Sequence, residues 1–450
     1  MYQEKWGRVF SQVSPEIKIS AYSTKTNNMA GGLMQLVAYG AQDVYLTGNP
    51  KVTFFQAVYK RHTNFAMETI EQTMNGTAAS SGRVSITVAR NGDLIGDMFL
   101  EATTLNSLNN FSGADVDSNF VAERIVSTAE LSIGGQRIDK HYQRWWRLYS
   151  ELYLNEGSKL NYAKMTTNPV TDTASKVYLP LIFFFNRNPG LALPLIALQY
   201  HEVRIDIDLS SEYETHVTGL KVWGNYMYLD TEERRRFAQK GHEYLIEQVQ
   251  HTGTDALEAS GTKQVRLSYN HPVKELVWCV TDGVSTQSNL WNLGTSTDAA
   301  KIAIASGQLA NSNCVAVTTS SSGAPQFVTG DLGGSEDYVE EKVGALKDAK
   351  LVLNGQDRFK EQSAKYFNQV QPFAHHTGSP CAGVYSYSFA LKPEEHQPTG
   401  TCNFSRIDNA QMSVTCNAVG DRAALALQMF AVNYNVLRVQ SGMGGLAFSN

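Results

Sequence analysis

The stretch Tyr178–Leu209, which reads YLPLIFFFNRNPGLALPLIALQYHEVRIDIDL, decides the fold. Its first apolar run, Leu179–Phe185, is short and nearly continuous, as in a strand that is buried on both faces. Asn186–Gly190 interrupts it with turn residues. Apolar and polar residues then alternate strictly, with Val203, Ile205, Ile207 and Leu209 on one side and Glu202, Arg204, Asp206 and Asp208 on the other. This alternation predicts a strand with one wet face, so a sheet lies in the first half of the chain.

The composition favours strands and loops over helices. Gly (35 residues), Ser, Thr and Asn are plentiful, whereas the Glu/Lys runs that favour helices are scarce. The chain is 42% hydrophobic and 18% charged, which permits a sizeable core. Its 450 residues suit two large domains or three ordinary ones.

Charge and cysteine content exclude several function classes. A net charge of -5 argues against broad nucleic-acid binding, so we expect no direct sequence-specific contact with nucleic acid. The five cysteines are widely spaced and form no CxxC, which indicates free thiols in a reducing compartment. No apolar run approaches the ~18–20 residues of a membrane helix, and no signal-peptide pattern opens the chain. We therefore expect a soluble chain that is not secreted by that route.

Several local signals predict individual elements. Asn49 and Pro50 suggest the start of a helix that would carry Phe54, Phe55, Val58 and Tyr59 on one face. Asn75-Gly76 and Asn91-Gly92 are hairpin signals. Within Asp139–Asn155, aromatic residues fall at helical spacing and indicate a face for core or interface packing, namely Tyr142, Trp145, Trp146, Tyr149 and Tyr153. Glu156–Lys176 is expected to be a loop, and Asp230–Gln239 a charged helix between the halves.

The two halves of the chain share one plan. Glu130–Arg137 (ELSIGGQR) precedes the aromatic helix, and Lys350–Asp357 (KLVLNGQD) precedes a second aromatic segment. Three further pairs of segments match in the same order: Glu71–Thr73 with Glu247–Val249, the strand at Phe183 with Tyr385–Leu391, and the strand ending at Leu209 with Thr401–Val414. A duplication is therefore predicted.

The fold class follows from that duplication. We predict an all-β chain of two tandem eight-stranded antiparallel jelly rolls with short helices in the connections. An immunoglobulin-like tandem fits less well, because the connections are long and contain helices. The predicted division is an N-terminal arm and base (1–48), a first jelly roll (49–229), a joint (230–240), a second jelly roll (241–437) with a loop insertion (283–345), and a C-terminal tail (438–450).

Long runs of this sequence resemble the double jelly-roll major capsid proteins of large nucleocytoplasmic DNA viruses. The resemblance extends over nearly all of Met29–Asn450. Within the family, the sequence is similar to the branch that contains phycodnaviruses, mimiviruses and marseilleviruses. The matching runs are Gly31–Asp43, Tyr45–Pro50, Phe54–Phe65, Arg90–Asp93, Phe185–Glu202, Leu229–Ala238, Leu353–Phe359, Thr399–Asn409 and Ala431–Asn450. Residues 1–28 and 283–345 depart from the family pattern.

The resemblance implies a structural role. Members form homotrimers whose six jelly rolls make a pseudo-hexagonal capsomer, and such capsomers tile an icosahedral shell over an internal membrane. The implied partners are neighbouring capsomers, minor capsid and penton proteins, and indirectly the membrane beneath. The implied location is the virion shell, assembled in the host cytoplasm. Met1–Leu46 and Gln440–Asn450 are expected to lie at the base and to tie subunits or underlying proteins together.

An enzyme is the contrasting hypothesis, and the sequence gives it little support. We predict no catalytic, cofactor-binding or metal residues and no cofactor. His375-His376 would point to opposite faces of a strand, Glu394-Glu395-His396 reads as a polar turn, and Asp206 with Asp208 as a solvated face. Gly442–Gly445 is interpreted as flexible tail, because no strand and helix frame it as a phosphate loop.

A carbohydrate-binding, lectin-like jelly roll is the alternative function, since fold does not settle function. Three triplets fit the glycosylation pattern and begin at Asn75, Asn110 and Asn403. Without a signal sequence they are interpreted as chance matches. Assembly in solution distinguishes the hypotheses, because a capsid protein forms trimers and shells whereas a lectin can act as a monomer.

Overall fold

The computed structural model describes residues 51–52, 55, 57–58, 61–105, 120–167, 174–258, 261–282, 317–319, 325–327, 346–380, 383–416 and 424–448. Contacts divide the chain into two compact units, Met1–His62 and Thr63–Asn450. Across the described residues, no helix combines the length and the hydropathy that a membrane crossing requires.

In the first unit the described residues form a short antiparallel hairpin of β1 (Lys51–Val52) and β2 (Ala57–Val58). The helix predicted after Pro50 is therefore wrong. Val52 and Val58 are β-branched and favour the extended backbone that the two strands adopt. Phe55, expected to pack on that helix, is fully exposed. The predicted arm, residues 1–48, lies outside the described residues.

The second unit opens with a sandwich of two antiparallel sheets. Its strands are β3 (Phe65–Gln72), β4 (Met74–Asn75), β5 (Arg83–Thr87), β6 (Leu94–Thr104), β7 (Val126–Ile133), β8 (Gln136–Tyr142), β9 (Lys176–Pro180), β10 (Leu193–Pro194), β11 (Val203–Leu209) and β12 (Val217–Leu229). One sheet has the order β10-β6-β12-β3, with β9 also paired to β6, and the other has the order β4-β5-β11-β7-β8.

A second sandwich follows in the same unit. Its strands are β13 (His242–Glu258), β14 (Thr262–Arg266), β15 (Pro272–Asp282), β18 (Leu346–Leu353), β19 (Gln356–Asp357), β20 (Gln362–Ser363), β21 (Val384–Ser388), β22 (Cys402–Asn403), β23 (Ala410–Cys416), β24 (Ala424–Gln440) and β25 (Met443–Leu446). One sheet has the order β13-β24-β15-β21, with β22 on β15 and β25 on β24. The other has the order β14-β23-β18-β19, with β20 on β18.

The two sandwiches correspond strand for strand. In one sheet β3, β12, β6 and β9 match β13, β24, β15 and β21; in the other β5, β11, β7 and β8 match β14, β23, β18 and β19. Even the pairing pattern repeats, because β12 bridges β3 and β6 as β24 bridges β13 and β15. The predicted fold of two tandem eight-stranded antiparallel jelly rolls is confirmed.

Short helices occupy the connections. They are α1 (Val121–Arg124), α2 (Gln143–Leu152), α3 (Glu156–Thr166), α4 (Phe184–Arg187), α5 (Tyr213–His216), α6 (Thr231–Gln239) and α7 (Gln371–His375). Two 3-10 turns (Pro189–Leu191, Phe404–Arg406) and a π-helical turn (Tyr366–Val370) add to them. Helix α6 was predicted from its charged sequence.

The hairpin turns at equivalent places in the two jelly rolls have the same backbone conformation. Gly134 and Gly135 join β7 to β8 with φ of +57° and +83°, while Asn354 and Gly355 join β18 to β19 with φ of +51° and +77°. Consecutive left-handed residues suit a two-residue hairpin. Asn91-Gly92, in contrast, was wrongly read as a hairpin, because β5 and β6 on either side of it belong to different sheets.

Within Tyr178–Leu209 the alternating half was predicted correctly and the continuous half was not. Strand β9 ends at Pro180, and Phe184 begins α4, so no strand spans Leu179–Phe185. Proline cannot donate to a sheet, and Asn186 starts the helix by accepting from the Phe183 N–H (3.2 Å) while donating to the Gly96 carbonyl (2.8 Å). The run Leu179–Phe185 is apolar because its side chains are buried, although most of its backbone is not a strand.

Two other expectations are corrected. The loop predicted over Glu156–Lys176 contains α3, which Asn155 caps by accepting from Ser158 N–H at 2.8 Å. The flexible tail predicted over Gly442–Gly445 is paired, because β24 runs to Gln440 and the chain turns back as β25. Of the predicted insertion 283–345, only β16 (Val317–Thr319) and β17 (Pro325–Phe327), a hairpin, lie among the described residues.

The β7–β8 turn allows a matched test. A Cβ on Gly134 would overlap the His201 ring, whereas a Cβ on Gly135 would have no atom within 4 Å. Both positions are left-handed, so alanine at either costs about 1–2 kcal/mol. We expect Gly134→Ala to lower the apparent melting temperature by several degrees more than Gly135→Ala, as measured by calorimetry. Equal melting temperatures would show that His201 is not held against this turn.

Candidate functional site at the seam between the jelly rolls

The two jelly rolls meet along a buried seam, formed by β8, α2, α3 and α4 of the first and by β13, β15, β24 and residues 376–379 of the second. Helix α2 supplies aromatic side chains in two directions. Trp146 packs into the first jelly roll, where its indole N–H donates to the Pro180 carbonyl at 3.0 Å. Trp145 lies across the seam, 5.6 Å from the ring of Phe430. The predicted aromatic stripe therefore serves both core and interface packing.

Backbone and side-chain hydrogen bonds join β8 to β13. The Val249 N–H donates to Asp139 Oδ1 at 3.0 Å, and the Gln248 side chain donates to the Ile138 carbonyl. The other Asp139 oxygen lies 2.9 Å from His141 Nε2. All five residues are buried, so water cannot replace a lost hydrogen-bond partner. Breaking one of these bonds would therefore leave a buried polar group unsatisfied, which costs free energy of folding.

A carboxylate between two cations lies at the centre of the seam. Glu247 of β13 is 3.0 Å from Arg187 Nη2 of α4 and 2.7 Å from Lys274 Nζ of β15. Lys274 also donates to the Pro393 carbonyl at 2.6 Å. Burial alone would raise the pKa of Glu247, but the two cations bring it below its usual range. Burial likewise lowers the pKa of Lys274, against the pull of Glu247.

His376 forms a second charged bridge. Its Nε2 lies 2.5 Å from Glu275 of β15, and its Nδ1 lies 3.3 Å from Glu394. The Tyr153 hydroxyl, from the end of α2, donates to the other Glu275 oxygen at 2.6 Å. Burial alone would lower the pKa of His376, but the charge and hydrogen bonds of Glu275 and Glu394 raise it to about 9. The imidazole is therefore a cation at neutral pH.

The end of α2 and the start of α3 form a third contact with the second jelly roll. Lys159 Nζ lies 2.7 Å from Glu151 and donates to the Ser379 carbonyl at 2.6 Å. Glu151 also pairs with Arg147 one turn earlier on α2. Gly378 fits against this corner: a Cβ there would lie 2.8 to 2.9 Å from the carbonyl oxygens of Glu151, Leu152 and Leu154.

This arrangement can hold two lobes in one orientation. Replacing a buried ion pair by apolar side chains is often neutral, but deleting one partner costs roughly 3–5 kcal/mol. The pair Arg187–Glu247 joins the two lobes, as do the hydrogen bonds from Tyr153 to Glu275 and from Lys159 to Ser379, so a shift of the lobes would separate these partners. We infer a mechanical role, in which the seam makes the two jelly rolls one rigid body.

The acidic pair on β11 is the predicted solvated face only in part, because the Asp208 side chain is 37% exposed whereas Asp206 is covered. Asp206 is buried and accepts from the Ser85 hydroxyl at 2.5 Å and from Arg204 Nε at 2.8 Å. Arg83 lies 3.6 Å from Asp206 and 3.5 Å from Asp208. Cations and hydroxyl groups surround these carboxylates, so cross-strand neighbours satisfy them.

The histidine pair lies at a helix end rather than on a strand. His375 closes α7, and its Nδ1 lies 3.0 Å from the Leu391 carbonyl, while His376 enters the seam. Glu394-Glu395-His396 is a turn, as predicted, but Glu394 is also a seam residue. Over the described ranges no three His, Cys, Asp or Glu side chains are grouped so that they could hold a metal ion.

Sequence reasoning missed most of the charged seam residues. Lys274-Glu275 is the signal that could have found them, because it interrupts the otherwise apolar strand Val273–Val280. Charges in such a strand are almost always paired when buried. Arg187 and Glu247 gave no comparable signal, since each lies in a polar setting. Of the glycosylation triplets, Asn75 and Asn403 are exposed, and Asn110 lies outside the described residues.

The corner at Gly378 gives a second matched test. In Gly378→Ala the new methyl group meets three backbone oxygens, none of which can rotate away. We expect a melting temperature several degrees lower and faster hydrogen exchange in α2, measured by mass spectrometry. Gly219→Ala on β12, where a Cβ would have no atom within 4 Å, is the control. Equal effects of the two substitutions would contradict a tight seam at this corner.

Alkaline pH should destabilise the second jelly roll beside the seam through His376, which pairs with Glu275 and Glu394. Its folded-state pKa of about 9 exceeds the ordinary 6.5, so its contribution is complete below about pH 6.5 and is lost as the pH rises through 9. That difference corresponds to roughly 3 kcal/mol. We expect the free energy of unfolding, measured by denaturant titration, to fall over this window. His376→Asn should be less stable throughout and lose this pH dependence; an unchanged dependence in the variant would assign it to other groups.

Matches to known proteins agree with the observed fold, and the matched residues include those of the seam. Residues 233–445 match the family model described as large eukaryotic DNA virus major capsid protein, and residues 53–230 match the model described as major capsid protein N-terminus. The chain is 45% identical to the major capsid protein of Paramecium bursaria Chlorella virus 1 over 94% of this chain and 100% of that protein. Identity to the major capsid protein of Pyramimonas orientalis virus is 42%, with the same coverage.

Solved structures give the same result. The quasi-atomic model of the PBCV-1 virus capsid superposes with a TM-score of 0.71 at 40% identity, over 88% of this chain and 100% of that one. The Faustovirus major capsid protein, at 12% identity and a TM-score of 0.63 over 87% of this chain and 93% of that one, shares the fold alone. The chain therefore belongs to the major capsid protein family of large eukaryotic DNA viruses, whose place is the capsid shell of the virion.

Proposed function

We propose that three copies of this capsid protein associate as a homotrimer. The six jelly rolls of the trimer form a pseudo-hexagonal capsomer, and capsomers tile an icosahedral shell. The strand-for-strand correspondence of the two jelly rolls carries this proposal. Two similar lobes held rigidly side by side give a threefold ring six similar positions, so three copies of a single kind of chain can fill a hexagonal tile.

The remaining partners follow from the same role. Capsomers meet neighbouring capsomers at their sides, minor capsid and penton proteins at their edges and vertices, and indirectly an internal membrane beneath. Catalysis, cofactors and direct sequence-specific nucleic-acid binding form no part of the proposal. The paired state of the buried seam charges and the net charge of -5 support this. Assembly takes place in the host cytoplasm.

The division of the chain is part of the proposal. Residues 1–48 act as the arm and base, 49–229 as the first jelly roll, 230–240 as the joint, 241–437 as the second jelly roll and 438–450 as the C-terminal segment. Helix α6 supports the joint, because all its residues lie outside the cores. Asp230 caps it, and Arg234 ties it to Asp93 of the first jelly roll at 3.0 Å.

The mass in solution tests the proposal. We expect light scattering after size exclusion to give three times 49.7 kDa, and electron microscopy of concentrated samples to show hexagonal tiles. A stable monomer would overturn the proposal, and a monomer that bound sugars on a glycan array would favour the lectin-like alternative.

A further inference from the structure

His396 lies beside the central carboxylate of the seam. Its Nδ1 is 3.9 Å from Glu247 Oε1, the same oxygen that lies 2.7 Å from Lys274 Nζ. That separation is too long for a hydrogen bond, so His396 is a neighbour of the ion pairs and not a member of them. The turn that carries it is held by Lys274, which donates to the Pro393 carbonyl at 2.6 Å. With 32% of its side chain exposed, His396 can exchange protons with solvent.

The charges around His396 are matched as long as its imidazole is neutral. Three cations and three carboxylates pair in this part of the seam, namely Arg187, Lys274 and His376 with Glu247, Glu275 and Glu394. Two further pairs lie nearby, Asp139 with His141 on β8 and Lys392 with Glu395 on the turn. A proton on His396 therefore adds a cation for which the described residues offer no unpaired carboxylate.

The surroundings of His396 oppose that proton. Burial lowers the pKa of the imidazole, and although Glu247 attracts the proton, Lys274 and Arg187 repel it, so the pKa lies below the ordinary 6.5. His396 is therefore neutral at pH 7, in contrast to the charged His376. Because electrostatic repulsion is mutual, a proton that binds His396 in acid also weakens the pairing of Glu247 with the two cations.

Arg187 is the cation that can leave. Lys274 is completely buried and has a second partner in the Pro393 carbonyl. The Arg187 side chain is 22% exposed, and in the described part of the chain its Nε has no hydrogen-bond partner. Arg187 also belongs to the first jelly roll, whereas Glu247, Lys274 and His396 belong to the second. The added charge therefore acts on the ion pair that joins the two lobes.

We propose that His396 is a proton-sensitive switch that loosens the seam in mild acid. Protonation of His396 surrounds Glu247 with cations of its own lobe, and Arg187 moves out toward solvent. The contact between the lobes weakens while each jelly roll keeps its own core. The building block is therefore rigid at neutral pH and compliant in acid. The switch lies within one chain, so it does not depend on the proposed trimer.

The same switch makes the free energy of unfolding depend on pH. Because the folded-state pKa of His396 lies below 6.5, the unfolded chain binds the proton more readily. The contribution of His396 is therefore complete above about pH 6.5 and is lost as the pH falls below that value. His251, stacked on Phe430 elsewhere in the seam, also has a pKa that burial lowers and acts in the same direction. A local measurement is therefore needed to isolate His396.

Hydrogen exchange of the full chain, followed by mass spectrometry, provides that measurement. The rates are compared at about pH 7.5 and about pH 5.5, on either side of the ordinary histidine pKa, after correction for the intrinsic pH dependence of exchange. We expect peptides that contain Arg187 or Glu247 to exchange several-fold faster in acid, and peptides from β7 and β23 to stay unchanged. Equal acceleration in β7 and β23 would contradict the proposal, because the whole fold would then be opening.

Two substitutions at the partly exposed position 396 complete the test. His396→Gln cannot be charged and should exchange equally at both pH values around Arg187. His396→Lys carries a permanent charge and should show the acid pattern already at neutral pH. His251→Gln, at a seam histidine away from Arg187, is the matched control and should keep the acid response there. The proposal is wrong if wild type shows no response, if His396→Gln retains it, or if His396→Lys behaves as wild type at neutral pH.

Discussion

The structure depends on the buried pairing of Glu247 with Arg187 and Lys274 at the centre of the seam. Each jelly roll has its own core, so two such lobes could in principle sit on a flexible tether. Charges removed from water change this, because a relative shift of the lobes would separate Arg187 of the first lobe from Glu247 of the second. The aromatic side chains of α2 pack the two lobes together, and the charged groups fix their relative orientation. Together they convert two sandwiches into a single body that can act as one building block.

The sequence predicted the fold well and the seam poorly. Alternation at Val203–Leu209 and the paired Gly134-Gly135 and Asn354-Gly355 turns are local signals, and each was found where expected. The sequence predictions failed where burial in the tertiary structure, and not the local backbone conformation, decides the residue pattern. Phe183–Phe185 is apolar because it is buried, not because it is a strand, and Asp206 alternates like a wet residue although Arg83 and Ser85 cover it. Arg187 and Glu247 meet only through the packing of the two lobes, which no local window contains.

The closing hairpin has a consequence for how the chain is made. The backbone of Tyr200 donates to Gly442 at 2.9 Å, and His201 lies 2.9 Å from the Gly444 carbonyl, so the turn after β24 and strand β25 rest on the first lobe. Strand β24 pairs with β13 and β15 at the centre of its sheet and follows both of them, and the whole first lobe, along the chain. A nascent chain can therefore complete its first lobe before the second lobe closes. Chains that stop before β24 consequently lack the finished geometry that a growing shell would accept.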